Sequence, residues 1–172
     1  MEKVKAFCKR KNIEISVKRY LIDALGAMAQ GLFASLLIGT IISTLGTQLN
    51  IPILVTVGTY AKAAVGPAMA IAIGYALQAA PLVLFSLAAV GAAANELGGA
   101  GGPLAGLVVA IFSAEFGKAV SKETKIDIIV TPAVTISIGV LLSLACAPAI
   151  GKAASSVGNA IMWATELQPF FM

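Results

Sequence analysis

The sequence predicts an all-α fold: a polytopic helical membrane protein of about five transmembrane or re-entrant helices that pack through small-residue faces. Three observations predict it. Hydrophobic residues make up 59 % of the chain and charged residues only 12 %, against about 25 % charged in ordinary soluble domains. Residues 63–95 are a run of 33 without a single charge, whereas a bilayer core of about 30 Å needs roughly 20 apolar residues of helix. The apolar segments are long and unbroken, while strands of a β-barrel would be short and alternating.

The N-terminal residues 1–22 are basic. They hold seven Lys and Arg against two Glu, more positive excess than the whole chain carries at +4. The positive-inside rule places this segment in the cytoplasm. Ile13, Val17, Tyr20 and Leu21 sit at helical spacing, which suits a short interfacial helix leading into the membrane. The charged lead is too long for a cleaved signal peptide. A basic run beside a membrane span does not call for a nucleic-acid partner. Three regions result: a basic interfacial segment at 1–22, a transmembrane helical domain at 23–151, and the start of a further segment at 152–172.

Residues 24–45 form the first span, 22 residues without charge. Ala27, Gly31, Ser35, Gly39 and Ser43 recur every four positions along it, and such small residues let helix backbones approach. Asp23 stands at its cytoplasmic end, where a carboxylate suits a helix N-terminus. Residues 46–52, GTQLNIP, are a polar turn. Residues 53–65 are apolar but carry Lys62, expected to snorkel at a membrane edge, or else to line a solute path. Gly66 and Pro67 restart the helix. As one helix, 63–95 would run roughly 50 Å at about 1.5 Å per residue, too long for one crossing and too short for two. Pro67 and Pro81 are its natural breaks. The run is either a hairpin of two short helices joined near 78–81 or one long kinked helix.

Residues 95–103 read NELGGAGGP. Four glycines and a proline argue against helix here, and backbone at membrane depth needs shelter. Two readings stand: a loop outside the membrane, or an unwound segment where Glu96, Gly98, Gly99, Gly101 and Gly102 meet a polar solute. No Gly-Lys-Ser/Thr follows, which excludes a phosphate loop. Residues 104–114 are apolar but short, as re-entrant segments are. Lys118, Lys122, Glu123 and Lys125 follow as a polar loop of positive excess, again cytoplasmic. Parity then requires an even number of crossings before Lys118. Four are preferred over two, with the turn near Pro81. Asp127 leads into a span over 128–150, which repeats a stripe: Thr131, Thr135, Gly139, Ser143 and Ala147. The two striped spans are candidates to pack on each other. Strict spacing of four drifts around a helix of 3.6 residues per turn, so close contact is expected over about two turns. Trp163 suits an interfacial belt, and the apolar run at 167–172 reads as a chain that continues beyond this fragment.

The chain has no histidine, which excludes a His triad, a His–metal site and a phosphohistidine. Cys8 and Cys146 stand far apart and offer neither a disulfide framework nor a metal spacing. No catalytic residue, metal or cofactor is expected. The remaining chemical candidates are carboxylates near membrane depth, Glu96, Glu115, Asp127 and Glu166, because ionisable groups there are costly to place. Each is equally readable as a boundary residue.

Four blocks carry a resemblance: ISVKRYLIDALGAMAQGLFASLLIGTI at 15–41, NELGGAGGPLAG, EFGKAVSKETKIDIIVTPAVTI and ATELQPFFM. They resemble the bacterial phosphotransferase-system IIC membrane proteins of the type that includes the perfringolysin regulator-like proteins. The resemblance implies the N-terminal half of a sugar-translocating subunit in the bacterial inner membrane. It implies cytosolic IIA and IIB partners, which carry phosphate on His or Cys. The second function class is a membrane-bound regulatory protein without transport activity, possible as a homo-oligomer. Aromatic residues, which stack on sugar rings, are only 6 % of the chain.

Overall fold

The computed structural model describes residue 7, residues 10–13 and residues 16–167, with side chains as far as Trp163. Cys8 lies outside the described residues. Every regular element among them is helical: α1 Lys18–Gln48, α2 Pro52–Ala63, α3 Val65–Ala76, α4 Pro81–Gly98, a 3₁₀ turn Gly99–Gly101, α5 Gly102–Val120 and α6 Asp127–Leu167. The protein is a polytopic helical membrane protein. α3, α4, α5 and α6 pack together with the first half of α1, while α2 packs on the second half of α1.

α1 begins at Lys18 within the basic lead, so the expected interfacial helix and the first span are one continuous element. Ile13 is not helical. Two π turns interrupt α1, at Lys18–Asp23 and Phe33–Leu37. A π turn takes in one extra residue, which sets the following helix back by roughly 100°. The drift of a four-residue spacing is thereby absorbed, and Gly31, Ser35 and Gly39 are all buried.

α1 turns at residues 49–51 and returns as α2, whose Pro52 follows an extended Ile51. α2 and α3 meet at 47° around Ala64. Pro67 lacks the N–H that would bond the Ala63 carbonyl, which weakens the helix at that bend. Lys62 therefore lies at the middle of the pair. Its ammonium reaches Ser43 Oγ at 3.4 Å.

Residues 63–95 form a hairpin. α3 ends at Ala76, Gln78 takes a left-handed φ of 55°, and Pro81 starts α4. The α3 and α4 backbones touch where Gly66 meets the Gly91 carbonyl, with no room for a Cβ on either glycine. α4 and α5 form a second hairpin. Gly98 lies against Ala105 at one end, and Gly117 against Val83 at the other. The chain reverses direction three times between α1 and the end of α5, so residues 10–19 and the α5–α6 loop lie at the same end of the bundle, joined by direct contacts.

The two small-residue stripes do not pack on each other. Gly31 abuts Ala68 and Met69 of α3, and Gly39 abuts Gly58 and Ala61 of α2. The α6 stripe packs on α4 and α5. Gly139 fits between Val90 and Ser113, while further along Gly151 meets the Gly98 carbonyl. Thr131, Thr135, Gly139, Ser143, Ala147 and Gly151 are all buried, well beyond the two turns expected. The drift is used rather than cancelled: the stripe faces α5 at Thr135 and has rotated onto α4 by Gly151. Met69, Ile73, Leu77, Leu87, Val90 and Val109 fill the core. Phe33, Tyr60, Tyr75, Phe85 and Trp163 face outward, as lipid-facing side chains do.

Candidate functional site

The two ends of the bundle carry different chemistry. At the end holding the α4–α5 turn, a groove of about 580 Å³ opens between that turn and α6. Glu96, Gly98 and Gly99 form one wall, and Lys152, Ser155 and Asn159 the other. The turn is one 3₁₀ turn, not the longer unwound stretch expected over 96–103. Glu96 and Gly98 are helical, and Pro103 lies in the first turn of α5. Gly99 supplies the break with φ +50°, a region that side chains other than glycine rarely adopt. Gly101 is held against the Ile150 carbonyl and Ala154, where a Cβ would come within 3.0 Å. Gly102 is pressed on Asn95, so Gly101 and Gly102 are buried packing residues behind the groove.

The groove offers mixed hydrogen-bonding chemistry. Glu96 is exposed and accepts only, if ionised, while the Lys152 ammonium only donates. Ser155 Oγ donates to the Gly151 carbonyl at 2.9 Å, and Ser156 Oγ to the Lys152 carbonyl at 2.9 Å. Their protons point back to the helix, which leaves oxygen lone pairs for a ligand. Asn159 adds an amide donor and acceptor.

At the opposite end, side-chain charges tie the segments together. Lys118 was expected in a solvated loop, yet it closes α5 with only 3 % exposure. Its Nζ donates to Glu115 Oε1 at 2.9 Å, the Asn12 carbonyl at 3.0 Å and the Leu77 carbonyl at 3.1 Å. All three ammonium protons have acceptors. Arg19 donates to the same Leu77 carbonyl at 2.6 Å. Glu123 in the α5–α6 loop accepts from Arg10 at 2.7 Å and lies 2.5 Å from Lys11. Those cations, Lys11 foremost, hold its carboxyl below the usual glutamate range. Asp127 accepts from the Lys122 N–H at 2.7 Å and from Thr131 Oγ1 at 2.5 Å, so it ties the α5–α6 loop to the first turns of α6.

Of the residues singled out in the sequence, the fold thus brings Glu96, Gly98 and Gly99 into one groove, with Gly101 and Gly102 behind it. Glu115 and Asp127 lie at the other end, already engaged. Glu166 is on the last turn of α6, and its side chain is outside the described residues. Among the described residues no group of three metal-ligating side chains converges.

The comparison with protein families decides the identity. The family model described as "Phosphotransferase system, EIIC" matches residues 22–172. The chain belongs to that family. No curated protein and no solved structure matches it.

An EIIC chain is a permease-type membrane subunit of the phosphotransferase system, and the bundle, with three to four helices long and apolar enough to cross a membrane, agrees with that. The α6 wall of the groove was missed in the sequence. The signal for it was present: Lys152, Ser155, Ser156 and Asn159 interrupt the apolar pattern after Ile150 on one helix. They recur at i, i+3, i+4 and i+7, which is one helical face.

Proposed function

We propose that this EIIC chain takes part in sugar translocation, and that the groove between the α4–α5 turn and α6 contacts the sugar. One observation carries the proposal: a polar groove of about 580 Å³ is built at a glycine break between apolar helices. That volume lies within the range usual for small-molecule sites, about 300–1,000 Å³. A polyhydroxyl solute needs donors and acceptors on both sides, and Glu96, Lys152, Ser155 and Asn159 offer them.

On this proposal the chain lies in the bacterial inner membrane with residues 10–19 and the α5–α6 loop in the cytoplasm. Arg10, Lys11, Lys122 and Lys125 support that orientation by their positive charge. The IIA and IIB phosphocarriers then meet the protein from that side. Sugar uptake by the full-length protein tests the site. Glu96→Gln keeps the shape and removes a charge-assisted acceptor, so at normal expression the sugar affinity falls roughly ten- to a hundredfold. Unchanged uptake and affinity in Glu96→Gln and in Asn159→Ala would remove the groove from the transport path.

A further inference from the structure

The tied end contains a second cleft, of about 430 Å³, between the N-terminal segment, the α3–α4 turn and the α5–α6 loop. Arg10, Lys11, Lys118 and Lys122 line it, with Glu123 as the facing carboxylate and Gln78 at its side. Four cations thus face one space, and among the described residues Glu123, the Lys118-bound Glu115 and Asp127, which interacts with Lys11 and Lys122, offset them in part. Glu123 is 39 % exposed and holds Arg10 and Lys11 together from the loop. A carboxylate that accepts from two cations on a mobile-length loop occupies the position an anionic ligand would take.

We propose that this cleft binds a phosphate group, which displaces Glu123 from Arg10 and Lys11 and recruits Lys122. Phosphate offers several strong acceptor oxygens to such a cluster. Glu123 is then a built-in competitor: it keeps Arg10 and Lys11 aligned while the cleft is empty and swings out when the phosphate enters. The phosphate is either that of a phospholipid headgroup or soluble. Exposed Val17, Ile126 and Ile128 near this end give acyl chains an apolar surface.

The test uses the full chain in detergent, titrated separately with inorganic phosphate, short-chain phosphatidylglycerol and short-chain phosphatidylcholine, with binding read by native mass spectrometry and thermal shift. Binding of phosphatidylglycerol above phosphatidylcholine assigns a lipid source, and saturable binding of inorganic phosphate alone assigns a soluble one. In either case Lys11→Ala combined with Lys122→Ala weakens binding about tenfold. Glu123→Gln strengthens it several-fold, because the competing charge is gone. That gain cannot arise from misfolding. Absence of binding by every probe, or weaker binding in Glu123→Gln, would overturn the proposal and leave the cluster as an ion-pair network that only ties the helices.

Discussion

The end of the bundle around Lys118 and the end around Gly99 are built from opposite materials. At Lys118, side-chain charges tie together backbone carbonyls from segments far apart in sequence, Asn12 and Leu77. At Gly99, backbones meet directly through glycines, and the polar side chains are left facing a groove. Polar groups spent on holding helices are not available to a solute, and polar groups released by close backbone contact are. The difference explains why Glu115 and Asp127 have structural partners while Glu96 faces open space.

The comparison breaks most severely at Lys118. Lys118→Ala leaves the partly buried Glu115 without its cation and the Asn12 carbonyl without its donor, while Leu77 keeps Arg19, a loss of about 3 kcal/mol. Thermal unfolding in detergent should show it as the largest effect. Replacing both partners, Lys118→Met with Glu115→Leu, should recover most of the loss, since an apolar pair leaves no charge uncompensated. Full recovery by Lys118→Met alone would mean that the ion pair holds nothing.

Close backbone contact gives the next effect. Gly91→Leu forces α3 and α4 apart at the Gly66 carbonyl and should cost about 1–3 kcal/mol. Gly99 and Gly158 sharpen the point with one substitution. Both have nothing within 4 Å of an added Cβ, but Gly99 has φ +50° and Gly158 is helical. Gly99→Ala should therefore destabilise by about 1–2 kcal/mol through the left-handed conformation. Gly158→Ala should stabilise by up to about 1 kcal/mol through helix propensity. Equal signs in the two variants would show that the turn at Gly99 relaxes.

The smallest effect belongs to Glu123. Its carboxyl is held below the ordinary value by Lys11 and Arg10, so its contribution is present above the unfolded-state pKa. It fades as pH falls through the lowered value. The difference in melting temperature between the wild type and Glu123→Gln should be small at neutral pH and should close on acidification. A difference that widened on acidification would reverse the sign.

Much of this architecture was legible. Pro81 within the uncharged run at 63–95 favoured the hairpin, and the charge parity of the two basic segments required only an even number of crossings before Lys118. Small-residue spacing showed that α1 and α6 have packing faces, but smallness specifies how closely a helix can be approached, not by which helix. The pairing of α1 with α2 and α3 follows from the short turn at 49–51. The π turn at Phe33–Leu37 has no simple sequence signal. Lys118 reads as a loop cation because its acceptors lie 41 and 106 positions away. Glu96 and Gly99 could be found from the glycine break alone. Lys152 and Asn159 could not be paired with them, because α6 is brought beside that turn by tertiary contacts, Gly98 with Gly151 and Gly101 with Ala154.

The central claim is that the sugar meets the groove at the Gly99 end, while the charges at the Lys118 end hold segments together and do not meet it. Cysteines introduced singly at Ser156 in the groove wall and at Lys125 in the α5–α6 loop test it, in a Cys8→Ser, Cys146→Ser background of the full-length protein. Thiol modification is followed with and without the transported sugar. The account predicts that sugar slows modification at position 156 and leaves position 125 unchanged. Protection at neither position, or at 125 alone, would contradict it.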